Sequence, residues 1–232
     1  MWHEGPLAGF DTETTSVDVE EARIVTAALL HREPGHEGCQ HDREWLVNPG
    51  VDIPESATAI HGITTEHARN FGTPAVQAIE DIVFMVVGAV ANGCALVVYN
   101  APYDLTLLDR ECRRYEVAPP ELGDCLVIDP LVLDKYLDPY RRGKRTLEAV
   151  AAHYCVPFDG AAHDAAADAL AAMRLAWKMA RIFPAIRDLT AENLMALQVK
   201  AKAEQSASLQ RYFRSRGNDE VVDPSWPIRM PA

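Results

Sequence analysis

Three strand-like runs crowd into the first fifty residues with no room for a helix between them, and this spacing restricts the fold more than any other feature. Residues 6–14 run into a polar turn, 24–31 are strongly apolar, and 44–47 end at Asn48-Pro49-Gly50. Strands so close in sequence pair as an antiparallel meander, since a parallel pair needs a crossover of a dozen residues or more. The pattern then changes. Residues 73–91 read as a helix, 96–99 as a short buried strand, 104–115 as a helix with Leu105, Leu108 and Cys112 on one face, and 126–129 as a further strand. Helices are expected from Pro130 onward, and strands that alternate with helices join a sheet in parallel. The expected fold is α/β: a mixed five-stranded sheet with helices on both faces.

Beyond Phe183-Pro184 the character shifts. Residues 190–216 read as one long helix, with Thr190 as N-cap and Glu192 in the first turn, followed by a tail containing Pro224, Trp226 and Pro227. We expect residues 1–186 to form the main domain and 187–232 a C-terminal helical extension and tail.

One stretch, 82–99, lacks charged residues over a length near the lower limit of a membrane span. Asn92-Gly93 interrupts it with a helix stop, so a helix followed by a buried strand is expected, and no membrane association. The N-terminus has neither the basic region nor the apolar run of a signal peptide, and five cysteines without C-x-x-C spacing indicate neither a disulfide framework nor a zinc site. A cytoplasmic location is expected. The net charge of −12 argues against holding nucleic acid by charge alone, although it leaves room for an enzyme that recruits cations. Basic residues form three groups: Arg141, Arg142, Lys144 and Arg145; Arg110, Arg113 and Arg114; and Lys200, Lys202, Arg211, Arg214 and Arg216. Taken singly, each reads as a solvated helix face or loop.

Three segments carry chemistry. In Phe10-Asp11-Thr12-Glu13-Thr14-Thr15, residues two apart on a strand share a face, so Asp11 and Glu13 aim together. Such a pair is an acidic strand end beside solvent or a site for a cation. In Asn100-Ala101-Pro102-Tyr103-Asp104, Asp104 falls at a helix start, where it can be a plain N-cap; that role leaves the polar Asn100 at a buried strand end unexplained. In His163-Asp164-Ala165-Ala166-Ala167-Asp168, Asp164 can cap the helix that follows. That helix places Ala166, Leu170, Met173, Trp177 and Ala180 on one apolar stripe and Asp168, Ala172, Leu175 and Met179 on another. Asp168 thus stands where a core residue is expected, and a buried carboxylate needs a partner or a metal.

These segments, in this order, resemble the DEDDh (DnaQ-like) 3′→5′ exonucleases, in particular the proofreading epsilon-subunit branch. Ile60-His61-Gly62-Ile63-Thr64 is a fourth match, and the resemblance covers roughly residues 7–182. It departs at Ser16-Val17-Asp18, where many relatives carry a glycine. The resemblance implies a ribonuclease-H-like fold and a two-metal phosphodiester hydrolase using Mg²⁺ or Mn²⁺, the ions that carboxylate ligands favour. It implies that Asp11 bridges the ions, that Glu13 and Asp168 complete one, and that Asp104 holds the other. His163 is then the general base. Thr14, His61, Asn100 and Tyr103 become candidates for positioning a 3′-terminal nucleotide, with core packing an equal account of Tyr103. The implied substrate is the 3′ end of single-stranded DNA, with a polymerase subunit as possible partner. RNA trimming and a non-catalytic binding module remain open. For the C-terminal helix, with Tyr212, Phe213 and Trp226 nearby, contact with DNA, docking on a polymerase and packing on its own domain also remain open.

Overall fold

The computed structural model describes residues 1–33, 42–158 and 163–230. Cys39 lies outside them, and the other four cysteines are free thiols. The meander is present as β1 (Leu7–Thr14), β2 (Ile24–Arg32) and β3 (Arg43–Asn48), joined antiparallel in that order. Two further strands, β5 (Ala95–Val97) and β6 (Val127–Ile128), add in parallel beside β1. The sheet has a sixth member that the sequence reading missed. Thr73–Pro74, expected to begin a helix, form the two-residue β4, which pairs parallel with β3 and gives the order β4-β3-β2-β1-β5-β6. Pro74 then serves as N-cap, which delays the helix to Ala75.

Two short helices, α1 (Glu55–His61) and α2 (Thr65–Phe71), were also unforeseen. Each is a seven-residue element, too short to show a clear apolar period. The later helices are α3 (Ala75–Ala91), α4 (Ala101–Arg114), α5 (Pro130–Leu137), α6 (Leu147–His153), α7 (Ala165–Ile182), α8 (Pro184–Arg187) and α9 (Ala191–Ser215). No helix among the described residues is long and apolar enough to cross a membrane.

Burial follows the two-period pattern of β1. Ala8 and Phe10 face a core shared with Ile79, Ile82, Leu105 and Leu108 of α3 and α4. Leu7 faces the opposite core, with Val97, Ile128, Leu175 and Met179. On that second face α7 lies directly on β1: a Cβ on Gly9 would stand 2.8 Å from both the Ala169 carbonyl oxygen and Met173 Cγ. Only a residue without a side chain permits this approach.

Of the two stripes read for α7, Ala172, Leu175 and Met179 are buried as expected, as are Met173 and Ala180, but Trp177 and Asp168 are not. Ala165, Ala169, Ala172, Ala176, Met179 and Ala180 are buried, whereas Trp177 is 45% exposed with the Arg181 guanidinium 5.3 Å above its ring. Alanines alternate with Met173, Leu175 and Met179 in this contact, and their small size lets the helix sit close to the sheet. Of the basic groups, Lys200, Arg211, Arg214 and Arg216 are exposed as expected, whereas members of the other two turn inward to carboxylates. Arg141 and Arg145 both pair with the fully buried Asp134, and Arg110 and Arg113 share Asp109. Arg110 also pairs with Glu20, and Arg114 with Glu111.

The last helix and the tail pack against the parallel side of the sheet. Thr190 caps α9 through the Asn193 N–H, as expected. Gln198, fully buried, donates its amide to the Val127 carbonyl (2.9 Å) and accepts the Asp129 N–H (2.8 Å). It thereby completes the backbone of the edge strand β6. Trp226 is buried in the α3/α4 core, and its indole N–H donates to Asp129 at 3.3 Å.

Candidate active site

The site forms where β1 outruns its parallel neighbour. Pairing of β1 with β5 stops at Gly9↔Val97, while β1 continues to Thr14 alongside β2. Beyond that point one backbone edge of β1 is open, and Asp104 fills it. One carboxylate oxygen accepts the Thr12 N–H at 3.1 Å and the Thr12 hydroxyl at 2.6 Å. Asp104 is therefore not a helix cap. Asn100 occupies the N-cap of α4 in the left-handed conformation (φ 63°), which Asn tolerates, and Asp104 lies a turn further in with 4% exposure. Asn100 N–H and Ala101 N–H both donate to Asp129, at 3.0 Å each.

On the face covered by α7, Asp11 and Glu13 follow Gly9 at two-residue steps. Asp168, in the first turn of α7, meets them from above. It is partly exposed at the rim, and its neighbours Ala169 and Ala172 take the core positions. Glu13, His163 and Asp168 each offer a ligand atom within 4.8 Å of the others. His163 Nδ1 stands 4.0 Å from Glu13 Oε1, on a residue with φ 65° just before the Asp164 cap.

The electrostatics describe a concentrated negative charge. Burial, then the charges of Asp104, Asp168 and Glu13, hold the Asp11 carboxyl well above the usual carboxylate range. Burial and the Asp168 and Asp104 charges push Glu13 up to about 7. Asp104 rises to about 7 through burial, against the opposing hydrogen bond from Thr12, and Asp168 to about 6, also chiefly through burial. Four carboxylates crowded like this repel until protons or cations join them, and oxygen donors of this kind suit hard divalent ions. The residues present therefore fit a divalent metal.

Beside the carboxylates runs a cleft of about 520 Å³, with Thr14, Val17, Ala57, Ile60, His61 and Tyr103 in its walls. The Tyr103 phenol is within 2.5 Å of both the Thr14 hydroxyl and the Ser16 carbonyl, so it ties α4 to the end of β1 rather than filling the core. His61 Nδ1 accepts the Ile63 N–H at 3.1 Å. That bond places the ring proton on Nε2, which is buried and faces the Thr14 backbone at the wall of the cleft.

The structure thus brings Asp11, Glu13, Asp104, His163 and Asp168 to one strand end, with Thr14, His61 and Tyr103 along the adjoining cleft. Asn100 shapes the turn into α4 behind them. Sequence reasoning overlooked Thr12 and Asp129. Asp129 is fully buried and accepts from the start of α4, the start of α5 and Trp226. Asp129-Pro130 after an apolar run is a legible helix-start signal, but its bonds to α4 and the tail are long-range.

Fold and carboxylate cluster together define the ribonuclease-H-like nucleases, a class of phosphodiester hydrolases. The RNase_T exonuclease family profile matches residues 8–176, and the chain belongs to that family of 3′→5′ exonucleases. Among similar proteins, a DNA polymerase III subunit epsilon of Rickettsia felis is 28% identical over 206 residues, 84% of this chain and 85% of the relative. A DNA polymerase III subunit epsilon-like protein of Rhodobacter capsulatus is 34% identical over 125 residues, but the match spans 53% of this chain and 16% of that protein. E. coli exonuclease I in complex with a dA16 oligonucleotide superposes with a TM-score of 0.65 at 19% identity, covering 78% of this chain and 42% of that one. A zinc-bound exonuclease I–single-stranded DNA complex gives 0.66. This chain thus spans less than half the length of these exonuclease I structures.

Proposed function

We propose that this chain hydrolyses single-stranded DNA from its 3′ end in a proofreading-like reaction, releasing nucleoside monophosphates. The observation that carries this reading is the convergence of Asp11, Glu13, Asp104 and Asp168, with His163 4.0 Å from Glu13, at the mouth of a cleft. Asp11, Glu13, Asp104 and Asp168 would hold two Mg²⁺ or Mn²⁺ ions. When bound, such ions neutralise phosphate charge and make water acidic enough to attack phosphorus. His163 accepts the proton of the attacking water, and Glu13 steadies its imidazole. The bond from phosphorus to the O3′ of the penultimate nucleotide breaks, and that oxygen leaves as the new 3′ hydroxyl. The His61 N–H, at the wall of the cleft, supplies a donor for the terminal nucleotide, Thr14 and Tyr103 form the wall beside it, and Asn100 sets the turn that presents Tyr103. The match to an epsilon subunit over 84% of this chain and 85% of the relative supports a role beside a polymerase.

The test measures product release from matched 3′-tailed DNA and RNA strands with Mg²⁺ or Mn²⁺. Asp11→Ala and Asp168→Ala should each lose at least ~100-fold in rate while keeping the fold, since each removes a group that stabilises transition-state charge. Wild-type turnover in either variant would refute the site, and faster cleavage of RNA would replace DNA as the substrate.

A further inference from the structure

A second feature of the molecule suits a polyanion and lies away from the carboxylates. Between α5, α9 and the tail is a groove of about 710 Å³. Lys135 enters it from α5 and Lys202 from α9; both are partly buried, and neither ammonium has an ion pair or hydrogen bond among the described residues. Burial and the charge of Lys202 lower the Lys135 pKa, and burial lowers that of Lys202, with Arg229 repelling it further. Asp129 and Asp223 offset part of this. Glu204 on the rim is engaged by Lys200 at 4.0 Å. The carboxylate that acts on both lysines, Asp129, is itself bonded to backbone N–H groups and Trp226, and two half-buried cations left without a direct partner are tolerable where an anion arrives. Tyr136 and Tyr212, both exposed, flank the groove, and Arg216 stacks on Tyr212.

The basic groups continue toward the carboxylates. The Arg229 N–H donates to the Thr106 hydroxyl on α4 at 2.9 Å, one turn beyond Tyr103, and its guanidinium acts on the Tyr103 phenol. Tyr103 in turn contacts Thr14 of the cleft. Cations interleaved with aromatic faces are the means by which proteins hold single strands irrespective of sequence. On a chain of net charge −12, such a track is the exception rather than the rule.

We propose that the Lys135–Lys202 groove, continued by Arg229, binds the single-stranded nucleic acid upstream of the 3′ end that the carboxylates process. This deepens the reading given above and rests on it for the identity of the strand.

Fluorescence anisotropy of labelled dT20 with the full chain in EDTA tests binding without hydrolysis. Lys135→Gln/Lys202→Gln should bind about tenfold more weakly, and the slope of log K against log salt should shrink by roughly 1.4, two contacts at ~0.7 each. Lys135→Arg/Lys202→Arg should retain both affinity and slope, and thermal unfolding of both variants confirms that each is folded. With metal, the glutamine variant should lose the advantage in kcat/KM of dT20 over dT3. Unchanged affinity and slope in the glutamine variant would overturn the proposal. So would polyglutamate of matched charge competing as well as dT20, which would assign the groove to acidic proteins. Binding through these lysines without nuclease activity would instead refute the proposed reaction and leave the groove standing.

Discussion

Asp11, Glu13, Asp104 and Asp168 hold protons more tightly in the fold than in an unfolded chain, and this has a consequence for stability. Between the ordinary carboxylate range and the raised values of about 7, 7 and 6 for Glu13, Asp104 and Asp168, the folded state binds more protons than the unfolded one. Stability therefore falls as pH rises through that window. In EDTA the melting temperature should decline from pH 5 to pH 8, and Asp11→Asn should flatten the decline by removing one repelling charge. Adding Mn²⁺ should restore the loss at pH 8, since a ligand at 100 times its Kd stabilises by ~2.7 kcal/mol. Calorimetry across this pH range measures it, and a metal-free protein that grew more stable toward pH 8 would contradict the crowding of these carboxylates. Thr12 belongs to the same account. By donating its backbone N–H and hydroxyl to one oxygen of Asp104 it fixes the orientation of the carboxylate.

At the scale of elements, the distance between α7 and β1 sets whether Asp168 meets Asp11 and Glu13. Gly9 controls that distance. Gly9→Ala would force its methyl against the Ala169 carbonyl and Met173, costing roughly 1–3 kcal/mol, or about 2–10 °C in Tm. Because α7 carries Asp168, kcat should drop by more than the stability loss explains; a variant with reduced Tm but unchanged kcat would show the helix free to shift without moving the carboxylate. The sequence announced β1, β2, β3, β5 and β6 because their apolar runs are bounded by turn residues. It announced α9 through Thr190. It hid α1, α2 and β4, whose length is too short to express a period, and on α7 it turned Trp177 and Asp168 inward, because the many alanines of that helix blur the edges of its buried face. The site carboxylates were legible because acidic side chains beside apolar strands are conspicuous. Thr12, Asp129 and the Lys135–Lys202 groove were not, since their meaning comes from partners 28 to 97 positions away in the chain.

For the whole molecule, Asp129 and Gln198 join pieces that the sequence reading kept apart. Asp129 bonds to α4, α5 and Trp226, and its own N–H is taken by Gln198 of α9. Removing residues 187–232 would strip Leu194, Gln198, Ala201 and Trp226 from buried positions. A chain ending at 186 should melt well below the full chain and lose most of its activity, even though every proposed metal ligand remains. Equal Tm and turnover for the two would show the extension to be dispensable.

Gln198 and Met195 of α9 cover the outer side of the last strand, Met195 Sδ accepting the Val127 N–H at 3.3 Å. A sheet ends safely only when its final row of backbone donors and acceptors is occupied or hidden, and here one glutamine amide occupies the row at Val127 and Asp129. Without α9 over it, β6 would become a template on which another molecule can lay a strand, and growth of that kind has no built-in stop. Resistance to aggregation on heating is thus expected to depend on a helix remote from the chemistry of the site.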